Sequence, residues 1–392
     1  VFDDGNWLNL KRLEAYSKIT FVLFAMMAGS FFARWVTEDH TVHLPIVDFS
    51  VYWASSYFAL QGEASRVFDL TSFCGDFHGL LPVSPCGYPW LYPPSYFLLI
   101  LPLSLIPFWP AYFSFIGMSI AAYVITIRKI IRGRVAMWCL AAFPGLWMNV
   151  LAGQNGGLTA ALAGAALLNL EKRPALAGML IGSLVIKPQL GVLFPVALIA
   201  IKAWRVFFIA AGTAMAWMAL GVLVLGTNVW DGWLSRLDLA QQIMSWTTAV
   251  YMLPSLFGFL RTLGFPVATA YVGHGIVAMI VLYAVWDIWR RDVVQPVKYA
   301  ALITGTLLVS PRLLEYDLAW LGLSISWLVG WNLKTGWLKW EKEVLLAAWA
   351  TPLFCIAISK VFHIQVGALI LLLVFLVILQ KSRMPEAGRA LE

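Results

Sequence analysis

The sequence predicts an all-α polytopic membrane protein of about 12 transmembrane helices, with interfacial helices in the outer loops. Three observations predict the membrane class. Of the 392 residues, 61% are hydrophobic. Only 12% are charged, and mean hydropathy is +0.80. An ordinary soluble domain carries about 25% charged residues, so this chain has too few to coat a globule of its size and must present its outer surface to lipid. The apolar runs are continuous, as in residues 369–379, and do not alternate. Backbone groups in hydrocarbon must be satisfied internally, and unbroken apolar runs do this as helices rather than barrel strands.

Taken in order, crossings are predicted near residues 28, 117, 144, 164, 180, 197, 216, 278, 305, 324, 351 and 373. The first apolar run, residues 19–36, is long enough to span the bilayer. No small-residue cleavage site follows it, so it is read as a span and not as a leader. Segment 94–127 could hold two helices, over 94–106 and 110–127. Two full crossings there would carry Arg128, Lys129, Arg132 and Arg134 to the outer side. One crossing preceded by a short interfacial helix is the better reading, and Pro102, Pro107 and Pro110 break the run where that division needs it. Two outer segments are long and rich in aromatics: 38–93, the first extracytoplasmic loop, and 227–266, the second. Residues 48–60 predict an amphipathic helix, with Tyr52, Ser55, Ser56 and Ala59 at helical spacing, and residues 230–246 predict another. Residues 1–392 form a single integral membrane domain, without an internal repeat.

Charge sets the orientation. With a cytoplasmic N-terminus, 20 of the 27 Lys and Arg fall in inner segments, as the positive-inside rule requires. Both termini are therefore expected in the cytoplasm and 38–93 outside the cytoplasmic (inner) membrane. The net charge of +7 does not imply nucleic acid, because the basic residues are scattered. Seven of them remain on the outer side: Arg34, Arg66, Lys187, Arg236, Arg261, Arg312 and Lys360.

Ionisable groups near hydrocarbon are costly, roughly 2.5–3.5 kcal/mol each on insertion scales, and mark candidate sites. Asp48 stands early in the first outer loop, in Asp48-Phe49-Ser50-Val51-Tyr52-Trp53. Three outer turns share its side: Gly153-Gln154-Asn155-Gly156-Gly157, Lys187-Pro188-Gln189, and Ser310-Pro311-Arg312-Leu313-Leu314-Glu315-Tyr316-Asp317. The set suits a phosphate-bearing lipid. Lys187 and Arg312 can neutralise a phosphate. Gln154, Asn155 and Gln189, with Tyr52, Glu315 and Asp317, can hydrogen-bond a donor or acceptor sugar, and Asp48 can serve as a general base. Each feature also has a structural reading. Asp48 can cap the following helix, Lys187 can snorkel to headgroups, Arg312 can pair with Glu315 or Asp317, and 153–157 can be a tight turn. His40, His43 and His78 fit no compact ligand set, so no metal site and no cofactor are expected. Cys74 and Cys86 share the outer loop. They form a disulfide if that loop faces an oxidising compartment; the other reading is two free thiols.

Taken together, these motifs resemble glycosyltransferase family 87, GT-C-fold transferases that use polyprenyl-phosphate sugars and include mannosyltransferases of mycobacterial phosphatidylinositol mannosides. The matching pieces run in family order: Asp48-Phe49-Ser50-Val51-Tyr52 with Gly62 and Phe68-Asp69, Tyr92-Pro93-Pro94, Gly153-Gln154-Asn155-Gly156, Lys187-Pro188-Gln189, and Ser310-Pro311 with Tyr316-Asp317. The resemblance implies inverting transfer of a sugar, with mannose leading, from a polyprenyl-phosphate donor to a lipid or glycan acceptor outside the cytoplasmic membrane. It assigns the base to Asp48, with neither nucleotide donor nor metal. One departure is that relatives often carry histidine after the last Ser-Pro, where this chain has Arg312, Leu313, Leu314 and Glu315. The rival from another class is a transporter or flippase of a phosphate-bearing lipid or glycolipid. A non-catalytic lipid-binding subunit is a third reading. Polar residues gathered at one face beside one long early loop favour surface chemistry over transport.

Overall fold

Backbone polar groups in hydrocarbon need partners within their own segment, and this chain supplies them with helices. The computed structural model describes residues 9–37, 47–81, 90–237 and 247–384, and every regular element among them is helical. The elements that matter for the site are α1, Leu10–Thr37; α2, Val47–Leu60; α3, Phe108–Ile130; α4, Arg134–Ala141; α5, Pro144–Ala152; and α6, Gly156–Asn169. Further along come α7, Trp204–Leu225; α8, Val267–Arg290; α9, Gln295–Val309; and α10, Glu341–Phe362.

A helix lies over each predicted centre, but the expectation of about 12 spans is supported only in part. Six segments among the described residues are long and apolar enough to cross a membrane: Leu10–Ala33, Phe108–Ile130, Arg134–Ala152, Trp204–Leu225, Val267–Arg290 and Glu341–Phe362. Others, such as Gly156–Asn169, Pro174–Ile186 and Pro188–Ala200, are apolar but shorter. At 1.5 Å per residue a helix of α6's length rises only about 21 Å, against a hydrocarbon core of roughly 30 Å. Proline is a local cause: Pro174 and Pro188 each start a new helical piece where a longer helix would otherwise run.

Length sorts with position. Three of the long helices show large apolar side chains to the outside: Ile19, Leu23 and Met26 on α1, Phe208, Met215 and Leu223 on α7, and Val272, Met279 and Ile280 on α8. The shorter α9 is enclosed instead, buried without a break from Tyr299 to Leu308.

Segment 94–127 divides into short helical turns within Pro94–Leu105 followed by the single long helix α3. The first outer helix differs from expectation. Protein encloses α2 on nearly all sides, with Phe49, Ser50, Tyr52, Ala54, Ser55, Ser56 and Phe58 buried. The Ser56 hydroxyl turns inward and donates to the Leu101 carbonyl (2.7 Å). Its Phe49 ring packs on Phe108, Tyr112 and Phe115 of α3, with centroids 5.4, 5.4 and 5.7 Å away. In the second outer segment Thr227–Ser235, Thr247–Val250 and Leu256–Thr262 are helical, and residues 238–246 of the predicted helix lie outside the described residues. Cys74 is disulfide-bonded, while Cys139 and Cys355 are free thiols; Cys86 lies outside the described residues.

Candidate active site

Two glycines bring the site together. Gly153 ends α5 at φ 71°, a left-handed conformation that costs glycine little, and a Cβ there would run into Phe49. Gly156 opens α6, and a Cβ there would strike the Tyr316 carbonyl. The turn is thus wedged between α2, which carries Asp48, and the 3-10 helix Glu315–Trp320. Asn149 ties the same parts from within α5. Its amide nitrogen donates to the Tyr316 carbonyl (2.9 Å) and its oxygen accepts from the Gly157 N–H (3.2 Å).

Gln154, buried in this turn, is the hub. Its Oε1 accepts from the hydroxyls of Tyr52 (2.7 Å) and Tyr92 (3.0 Å) and from the Asn155 N–H (3.2 Å). The amide nitrogen is left to donate to Asp48, whose side-chain partner is Gln154. Asp48 itself is half-buried, so part of its surface stays open to a substrate. Around Tyr52 stand Trp90, Tyr92 and Tyr96, at ring centroids of 6.2, 5.5 and 5.2 Å.

Lys187 is enclosed and ion-paired. Its Nζ donates to Asp317 Oδ1 at 2.6 Å and lies 3.4 Å from Asn155 Oδ1. It also sits over the Tyr316 ring, 4.7 Å from the centroid. The other carboxylate oxygen of Asp317 accepts from the Leu314 N–H (3.4 Å). Burial raises the Asp317 carboxyl against the pull of Lys187. The crowding of Asp48 by its neighbours, a desolvation effect, lifts it to about 6, with Gln154 and Lys187 pulling the other way. Glu315 goes to about 7, again chiefly through burial, with Asp48 and Asp317 adding repulsion. Three carboxylates therefore share the field of Lys187. Buried polar groups usually have partners, yet Glu315 Oε2 and Ser310 Oγ have none here. Among the described residues no group of His, Cys, Asp and Glu is arranged to hold a metal ion.

Of the residues expected from sequence, Asp48, Tyr52, Gln154, Asn155, Lys187, Glu315 and Asp317 come together. Arg312 is not ion-paired to Glu315 or Asp317. It is half-buried, burial lowers its pKa beside Tyr271, and it is not among the groups acting on the three carboxylates. Gln189 is half-buried. Sequence reasoning missed the roles of Tyr92, Tyr96 and Asn149. A lone amide inside the apolar run Trp147-Met148-Asn149-Val150 was the available signal for Asn149.

The sequence profile described as Glycosyltransferase family 87 matches residues 90–311, more than half of the chain. The chain belongs to glycosyltransferase family 87. It is therefore a glycosyltransferase, and its apolar helices make it a membrane protein. The family match contains Gln154, Asn155, Lys187 and Gln189, while Asp48, Tyr52, Arg312, Glu315 and Asp317 fall outside it. Neither a curated protein nor a solved structure matches the chain.

Proposed function

We propose that this family 87 enzyme transfers a sugar, mannose first, from a polyprenyl-phosphate donor to a hydroxyl of a lipid or glycan acceptor. The reaction inverts the anomeric centre and takes place on the extracytoplasmic face of the cytoplasmic membrane. The observation that carries this reading is Asp48, a carboxylate lifted to about 6 by desolvation and paired with Gln154 in the family-matched turn. In the proposed step the acceptor oxygen attacks the anomeric carbon and gives its proton to Asp48. The bond from that carbon to the phosphate oxygen breaks, and its electron pair leaves on the phosphate. Lys187 has a third N–H beyond those directed at Asp317 and Asn155 and can stabilise that charge. Arg312, half-buried, steers the donor phosphate. Tyr92, partly exposed and backed by the stacked Tyr96 ring, borders the sugar, and Ser310 and Glu315 offer unpartnered polar atoms to its hydroxyls. Gln189 borders the same turn as Lys187.

The test is transfer from polyprenyl-phosphate mannose in proteoliposomes. The wild-type chain is expected to glycosylate added lipid acceptor and Asp48→Asn to lose nearly all of that activity. Equal use of a nucleotide sugar in place of the polyprenyl donor would overturn the donor assignment. Membership in a transferase family leaves the transporter reading without a specific observation in its favour.

A further inference from the structure

At the other end of α3 lies a cavity of about 560 Å³, lined by Arg128, Lys129, Arg132, Gly133, Arg134 and Met137. Ligand pockets commonly run to roughly 300–1,000 Å³. This one is separate from the candidate active site: Arg128 lies thirteen residues beyond Phe115, about 20 Å along the helix axis. Four cations line it, and Gly133, at φ 129°, opens the turn between α3 and α4 with nothing near its Cβ position. The carboxylate that reaches this group is Glu14 of α1, 3.0 Å from Arg134 and 2.6 Å from Lys18.

An apolar track leads away from the cavity. α1 packs against α4, where Glu14 pairs with Arg134, and meets α3 at its far end through Phe32 against Phe113, with centroids 6.0 Å apart. Between those ends α3 exposes Met118 and Ile125, and α1 exposes Ile19, Val22 and Met26. Ile125 stands one turn from Arg128 and Lys129 on the same helix face. A basic pocket that opens onto an apolar track at a helix end has the chemistry of a phospholipid site.

We infer that this cavity binds the headgroup of an anionic glycerophospholipid whose acyl chains lie along α1 and α3. The apolar track distinguishes a lipid from free phosphate, since inorganic phosphate gains nothing from it.

The experiment uses the purified full chain in detergent and native mass spectrometry, with phosphatidylglycerol, phosphatidylcholine and inorganic phosphate as probes. The wild-type chain should retain phosphatidylglycerol in preference to phosphatidylcholine. Arg128→Gln with Arg132→Gln should weaken phosphatidylglycerol roughly 25-fold, about fivefold per cation, and leave phosphatidylcholine unchanged. Lys172→Gln with Lys202→Gln, which removes two cations elsewhere, should change neither. Glu14→Gln gives a change of opposite sign: releasing Arg134 should tighten phosphatidylglycerol several-fold, and a destabilised protein would not do that. Unaltered phosphatidylglycerol binding in the Arg128 and Arg132 variant overturns the site. An equal loss in the Lys172 and Lys202 variant overturns its locality, and displacement by millimolar phosphate overturns the lipid assignment.

Discussion

Asp48 carries the first prediction at the residue scale. A positioned base contributes about 10²–10⁴-fold, so Asp48→Asn should lower turnover by that factor and leave donor KM nearly unchanged. Because desolvation sets its pKa at about 6 and only the ionised form accepts a proton, kcat/KM should fall about tenfold per pH unit below about 6. A profile that stays flat from pH 7 to 5 would remove Asp48 from the mechanism. Glu315 gives a stability prediction. Its carboxyl rises from 4.5 to about 7 on folding, so its contribution is fully present below about 4.5 and is lost as pH rises through about 7. Glu315→Gln should remove that part of the pH dependence, on the order of 2–3 kcal/mol, as read by thermal unfolding at pH 5 and 8. Lys187 separates structure from chemistry. Lys187→Met alone leaves Asp317 buried without its cation and should cost about 3–5 kcal/mol. Adding Asp317→Leu should restore stability but not transfer, whereas recovered transfer would reduce the pair to a structural one.

At the scale of elements, the turn between α5 and α6 matters more than the helices it joins. A Cβ at Gly156 meets the Tyr316 carbonyl, so Gly156→Ala must push apart the segments bearing Gln154 and Asp317. Overpacking of this kind costs about 1–3 kcal/mol, and displacement by about 1 Å can cost 10²-fold in rate. Steady-state transfer should therefore fall well beyond the loss in folded protein measured by size-exclusion chromatography. Gly29→Ala, at a position with open space around it, is the matched control and should leave transfer intact. Wild-type turnover in Gly156→Ala would show that the close approach is not needed for the site.

For the whole molecule, the open quantity is orientation. Asp48 lies near one end of α3 and the Arg128–Arg134 cluster at the other, and the positive-inside rule sends the basic end to the cytoplasm. A cysteine placed at Glu63, which is exposed, should react with a membrane-impermeant thiol reagent in intact cells. A cysteine at Lys129 should react only after permeabilisation. The reverse pattern would move the active site to the cytoplasmic face and end the proposed use of an extracytoplasmic donor.

Sequence alone determined the all-helical membrane class, because sparse charge and unbroken apolar runs leave the backbone few other solutions. It also singled out Asp48, Gln154, Asn155, Lys187, Glu315 and Asp317, since polar groups in an apolar chain are conspicuous. It did not settle the number of spans, because composition does not show that proline divides apolar stretches into pieces shorter than a full crossing. It read α2 as amphipathic, because helical spacing does not reveal that Ser56 is satisfied by the Leu101 carbonyl. Only the tertiary structure decided which distant turns meet: Asp317 takes Lys187 from 130 positions away as its ion-pair partner. The physical reason is that a pairing between remote segments depends on close backbone approach, here at Gly153 and Gly156, and no local pattern encodes what lies across the contact.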